Sequence, residues 1–246
     1  MRYKLLIEYD GTNYFGFQRQ KEAGQNSIAQ SLETAIFKLS QEEVKIAASG
    51  RTDSGVHALG QVVHFDLKKT FEPYTMIMAL NNYLRNETIA VLDCEIVDEN
   101  FHARISAKMR HYEYIIVNRR APLTLDKYRA HHVSQKLDIA AMQKAANHLI
   151  GRHDFSSFRD AECQALSPIK TIEKISLSQD GEKICISISA KSFLHHMVRN
   201  IVGTLIWVGS GKISADDMKK ILEAKDRNKS GPNVPACGLY FLKSDY

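Results

Sequence analysis

At 246 residues the chain is long enough for one large domain or two smaller lobes, and its 44% hydrophobic and 25% charged residues are ordinary for a globular protein. The longest apolar, uncharged run, Ile201 to Gly211, is well short of the roughly 20 residues a membrane span needs; Glu8 and Asp10 stand where a secretory leader would be apolar, so a cytoplasmic protein without a membrane segment is expected. The net charge of +5 sits in one place, because Arg104, Lys108, Arg110, Arg119, Arg120, Lys127 and Arg129 meet only Glu113 and Asp126 between positions 104 and 129, and the rest balances at 26 bases and 26 acids.

In chain order, Arg2 to Glu8 reads as a strand and Asp10-Gly11-Thr12-Asn13 as a turn leading into Tyr14, Phe15 and Phe17. Ile28, Leu32, Ala35, Ile36 and Leu39 recur at helical spacing, with Ser27 and Gln30 placed for a capping box. Strands are expected at Val44–Ala48 and Gln61–Asp66, with 50–60 looping between them, then a helix over Tyr74–Tyr83 and a strand over Ile89–Val97. The first hundred residues thus follow the β-α-β-β-α-β order of a ferredoxin-like unit.

The second half varies that order. Arg110–Val117 reads as a strand and Asp138–Ile150 as a helix closed by Gly151. Ile172–Ser178 and Lys183–Ala190 alternate by two across Asp180-Gly181, a hairpin signal. Met197–Val208 is a strongly apolar helix, another starts at a Ser214/Asp217 capping box, and Leu239–Leu242 is a last strand. The expected fold class is α+β: two ferredoxin-like lobes, 1–104 and 105–246, sharing a largely antiparallel mixed sheet with helices packed on it.

Cys94, Cys163, Cys185 and Cys237 include no close pair, so neither a zinc knuckle nor a redox CxxC motif is available. On a strand the neighbours in His131-His132 and His195-His196 would point to opposite faces, which makes no chelate, and no metal is expected. The basic stretch fits either a polyanionic partner or a solvated strand face.

The most unusual local sequence is Gly50-Arg51-Thr52-Asp53-Ser54-Gly55-Val56-His57-Ala58, with an arginine and a carboxylate two residues apart on a glycine-bracketed loop. On turn chemistry alone, Asp53 is an Asx-turn residue. The stretch resembles the signature loop of the A-type tRNA pseudouridine synthases, and other segments match that family in the same order: Tyr9 to Gln18, Phe101-His102-Ala103-Arg104 with Arg110-His111-Tyr112-Glu113-Tyr114, Phe193 to Gly203, and Gly238-Leu239-Tyr240 with Tyr246. Phe17 stands where the family commonly has tryptophan, and Ser54 where alanine is commoner.

The resemblance implies a pseudouridine synthase fold and isomerisation of uridine on the 3′ side of the tRNA anticodon stem-loop, positions 38–40. It also implies a homodimer and no small-molecule cofactor. It makes Asp53 the catalytic carboxylate, Tyr112 the tyrosine stacked on the target base, and Arg199 the cation that keeps Asp53 ionised. Burial raises a carboxylate pKa by up to about 3–5 units, and a nearby arginine typically lowers it by about 1–3. Arg51 would support the stack that the target nucleotide leaves. Arg104 and Arg110, inside the second motif, join Arg51 and Tyr112 as expected tRNA-binding residues.

Each residue also has a plainer reading. Arg199 lies at the edge of the apolar stripe Met197, Val198, Ile201, Val202, Leu205 and Ile206, where an arginine stem covers the core and its head meets water; Gly203, one turn on, leaves space above it. Tyr112 and Tyr114 share a strand face as packing aromatics would. Asp10 and its following aromatics fit a cleft lining or a turn and core edge. Two rival functions remain at this stage: a non-catalytic RNA-binding protein with RRM-like lobes, and a metal-dependent nuclease built on Asp10, Asp53 and Asp66.

Overall fold

The computed structural model describes residues 1–19, 26–161, 163 and 165–246. It divides into two compact units, Met1–Arg110 with Tyr240–Tyr246, and His111–Leu239.

The first unit contains β1 (Arg2–Tyr9), α1 (Ile28–Ser40), β2 (Ala47–Ala48), β3 (His57–Asp66), α2 (Pro73–Tyr83), β4 (Ile89–Val97) and most of β10 (Leu239–Asp245). Its sheet runs β4-β1-β3, with both neighbours of β1 antiparallel to it. Tyr3, Leu5, Ile7 and Tyr9 on β1 point inward at 0–4% exposure, the period-two pattern of a half-buried strand. Above them α1 buries Ile28, Leu32, Ala35 and Ile36; it is capped by Ser27, whose hydroxyl accepts the Gln30 N–H, and ends at Gln41 in the left-handed conformation. The helix α2 starts at Pro73, whose missing N–H costs nothing in a first turn, and packs on α1 and β4.

The outer edge of β3 is shared. The strand β2 pairs antiparallel with it at His64 and Val63, and β10 pairs parallel with it at His57 and Ala58. The strand expected over Val44–Ala48 is therefore short, because the Ile46 N–H donates to Glu33 Oε1 and not to the sheet. The loop expected over 50–60 ends early, since β3 begins at His57.

The second unit contains the rest of β5 (Met109–Asn118), then β6 (His131–Val133), α3 (Ile139–Asn147), β7 (Gly151–Asp154), β8 (Ile169–Asp180), β9 (Lys183–Ala190), α4 (Met197–Gly209) and α5 (Asp217–Ala224). Its strands run β5-β9-β8-β7, with β6 parallel to β5. The β8–β9 hairpin turns at Gly181, φ +55°, and buries Ile184, Ile186 and Ile188 on one face. The helix α3 is capped by Asp138, which accepts the Ala141 N–H at 2.9 Å, and stops at Asn147, three residues before its expected end. Gly151, φ +103°, then opens β7. The strands β6 and β7 are additional to the sequence-based reading. The α+β expectation holds: the sheets are mostly antiparallel, with parallel β10–β3 and β6–β5 pairs making them mixed.

The helix α4 is buried nearly all round, more than its apolar stripe predicts. Asn200 and Thr204, both 0% exposed, lie under the 226–234 segment. Asn200 donates to Phe158 O and accepts from Arg227 Nη2 at 3.0 Å, and Thr204 Oγ1 accepts the Gly231 N–H at 2.8 Å.

Candidate active site

The loop between β2 and β3 carries Arg51 and Asp53 on a backbone tied from several sides. Tyr9 and Thr52 share a buried hydroxyl–hydroxyl bond of 2.7 Å; burial pushes the Tyr9 phenol up to about 12 although the Thr52 bond opposes it. The Phe17 N–H donates to Thr52 O at 2.9 Å and the Val56 N–H to Asp53 O at 3.2 Å. Gly16, φ +85°, packs so closely that an added Cβ would lie 2.8 Å from Thr52 O. Ser54 Oγ donates to Tyr14 O at 3.0 Å, an anchor that alanine could not supply. At the loop's start, the Ser49 hydroxyl donates to Gln61 Oε1, and Gln61 Nε2 donates to Gly50 O at 2.8 Å. Between these ties Arg51 is exposed, Thr52 buried and Asp53 half-buried.

Asp10 forms an Asx-turn, Oδ1 accepting the Thr12 N–H at 3.0 Å and the Thr12 hydroxyl at 2.5 Å. His57 Nδ1 accepts the Gly11 N–H at 3.1 Å, and Asp10 Oδ1 lies 3.2 Å from the same nitrogen. A ring nitrogen that accepts the Gly11 N–H carries no proton to donate to Asp10, so we assign the hydrogen bond to Gly11. Tyr14 and Phe17 are core residues, 4% and 3% exposed, whereas Phe15 is 48% exposed. Asp66 accepts from Arg2 Nε and Nη2, both at 2.8 Å. It closes the far end of β3, about 30 Å from His57 at 3.3 Å per residue. The nuclease reading needs Asp10, Asp53 and Asp66 to converge on an ion, and this strand separates Asp66 from the loop.

Arg104 is exposed, on a segment held by the Tyr246 hydroxyl, which donates to Ala103 O at 2.9 Å, and by His64 Nδ1, which accepts the Ala103 N–H at 3.2 Å. Arg110 is 9% exposed, with Nε donating to Ser49 O at 2.8 Å and Nη2 to Arg104 O at 2.6 Å. The sequence-based reading places Arg110 against RNA; these donors point into protein.

In the second unit Tyr112 and Tyr114 share the inward face of β5 with Ile116. Tyr112 meets Phe193 edge to face, with ring centroids 5.0 Å apart. Tyr114 is fully buried; its hydroxyl donates to Pro235 O at 2.7 Å, and burial raises its phenol above the usual range. Arg199 sits in the first turn of α4, half-buried, with Nε donating to Val234 O at 2.7 Å. The space expected above it at Gly203 is filled: a Cβ there would overlap the Pro232 carbonyl oxygen and lie 3.1 Å from its carbon. The 231–234 segment escaped the sequence-based reading, although Ser230-Gly231-Pro232 is a visible turn signal. His195 and His196 lie in a turn before α4 and not on a strand; their rings stack at 3.8 Å, and His196 Nδ1 is 2.7 Å from Asp160 Oδ2.

A family profile described as tRNA pseudouridine synthase matches residues 5–105 and 145–246. Arg51, Asp53, Arg104 and Arg199 fall inside the matched segments, and Arg110 and Tyr112 fall between them. The chain is 48% identical over 247 residues to a protein of Anaplasma marginale (strain Florida) named tRNA pseudouridine synthase A, covering 100% of both. A protein of the same name from Anaplasma phagocytophilum (strain HZ) is 49% identical over 246 residues, again with 100% of both covered.

Proposed function

The chain belongs to the tRNA pseudouridine synthase family, an isomerase family, and on that basis we propose that it converts uridines 38–40 of tRNA to pseudouridine with Asp53 as the catalytic carboxylate. The observation that carries this reading is the loop itself. Asp53 is half-buried on a backbone fixed at Thr52, Asp53 and Ser54, beside an exposed Arg51, as a preorganised reacting group should be.

The reaction breaks the N1–C1′ bond, turns the detached base, and forms a C5–C1′ bond. The proton leaves C5, N1 gains one, and no atom is added or lost. A carboxylate beside the glycosidic bond serves as nucleophile or base in this sequence. Tyr112 stacks on the extruded base, Arg199 supplies the balancing cation, Arg51 fills the gap left in the helix, and Arg104 grips the backbone. Extrusion costs a few kcal/mol, which these contacts repay. The reading extends to a cytoplasmic homodimer.

The test is Asp53→Asn on unmodified tRNA transcripts, with pseudouridine mapped by carbodiimide chemistry. Wild-type protein should mark positions 38–40, and the variant should mark none while keeping its fold and its tRNA affinity. Near-normal turnover by the variant, or its global unfolding, would return Asp53 to a turn residue.

A further inference from the structure

Arg110 is a cation whose located donors reach two backbone carbonyls. Ser49 O, at 2.8 Å, opens the Asp53 loop; Arg104 O, at 2.6 Å, belongs to the segment that presents the Arg104 side chain. Both targets are themselves braced. The Ser49 hydroxyl is bound to Gln61, which also holds Gly50 O, and Ala103 next to Arg104 is held by Tyr246 and His64. The guanidinium is therefore the bridge between two fixed pieces of backbone, each bearing an exposed arginine.

Stability alone does not require an arginine here. Burying a charge is costly, and well-packed apolar residues often replace buried ionic groups without loss. A planar fork with donors at fixed angles adds geometry, which a lysine ammonium on a flexible stem does not.

We infer that Arg110 is a positioning residue that sets the Asp53 loop in register with the Arg104 segment, so that RNA held at Arg104 is presented to the reacting carboxylate. The inference rests on the proposed reading of Arg104 as an RNA contact. It places Arg110 behind the RNA-facing surface, acting through Ser49 and Arg104.

The experiment uses the full chain and unmodified tRNA, with Arg104→Ala, Arg110→Lys and the double variant, measuring Kd and the single-turnover rate of pseudouridine formation. Arg104→Ala should weaken binding about fivefold or more, as loss of one base or backbone contact does. Arg110→Lys should weaken binding about as much as Arg104→Ala does and, at saturating tRNA, slow the single turnover by about tenfold or more, the effect of a misplaced group. The double variant should bind no worse than Arg110→Lys alone, because the segment that Arg104 rides on is already released. Effects on Kd that simply multiply would show independent sites and overturn the inference while leaving Asp53 untouched. An Arg104→Ala variant with unchanged Kd would remove the RNA contact and the inference together. If Arg110→Lys is too unstable to assay, Tyr246→Phe deletes the bond to Ala103 O and retains the ring against Phe101, 5.1 Å away. Full additivity of Tyr246→Phe with Arg104→Ala would equally overturn the inference.

Discussion

Replacing Gly203 by alanine should destabilise the protein, against the usual sign for a helix interior. Alanine is generally better than glycine there by about 1 kcal/mol. At Gly203, however, the new methyl would overlap the Pro232 carbonyl oxygen and lie 3.1 Å from its carbon, and the neighbour is backbone that cannot rotate aside. Overpacking of this kind costs about 1–3 kcal/mol. The 231–234 segment cannot retreat freely: Gly231 N–H is bound to Thr204 Oγ1 at 2.8 Å, Arg227 Nη1 donates to Gly231 O at 2.9 Å, and Arg199 Nε donates to Val234 O at 2.7 Å. Losing one such bond to a charged donor costs about 1.5–3 kcal/mol more. After the propensity gain, the net loss is about 1.5–5 kcal/mol. At about 2–4 °C per kcal/mol for a protein of this size, the melting midpoint should fall by roughly 3–20 °C. Thermal melts of both proteins give the first readout, and single-turnover pseudouridine formation below both midpoints gives the second. The rate should fall too, because Arg199 loses its carbonyl anchor. A variant melting at or above wild type refutes the packing argument. One that melts early yet reacts at the wild-type rate separates the Val234 anchor from the chemistry.

Two further outcomes follow from the surface groups. The Arg2 ion pair holds the Asp66 carboxyl below its ordinary value, so it stabilises the fold above the unfolded carboxylate pKa of about 3.9 and loses that contribution as pH falls through the folded value. Arg2→Ala should therefore destabilise the fold at pH 7, with about 1 kcal/mol or less of the loss coming from so exposed an ion pair, and the gap in melting midpoint to wild type should narrow at pH 3; a gap that widens would refute the linkage. Arg120 and Lys127 are exposed on the basic segment, and changing either to glutamine should flatten the log–log salt dependence of tRNA binding by about 0.7–0.9. Unchanged slopes in both would return that segment to a solvated face.

What the sequence discloses is the part governed by local periodicity. Ile184, Ile186 and Ile188 alternate across a turn at Gly181, and the hairpin follows. Ser27 and Asp138 are small acceptors ahead of helical spacing, and both cap their helices. Contacts made by residues far apart are not legible in this way. Nothing local to Val44–Ile46 reveals that Glu33 will take the Ile46 N–H and shorten β2. The polar face of α4 reads as solvent-facing until the 226–234 segment covers it with Arg227 and Gly231. Arg110 is intermediate. Its alternation with Tyr112, Tyr114 and Ile116 on β5 already places it on the inward face, and a charge count overlooks that.

The division of the β3 edge has a consequence for the order in which the molecule can be made. His57 and Ala58 pair with Tyr240 and Phe241, and Ala103 O is bound by Tyr246. The strand partners lie 183 residues apart and Ala103 lies 143 residues from Tyr246, so at translation speeds of about 5–20 residues per second, roughly 10–40 s pass between synthesis of the β3 edge and of its cover. During that interval the nascent first unit exposes unpaired backbone at His57, next to the Asp53 loop, and such an edge invites pairing with other chains. Emergence of residues 240–246, not of residue 110, is thus the event that completes the first unit. Removing residues 240–246 would injure first the unit whose other residues all lie before position 111.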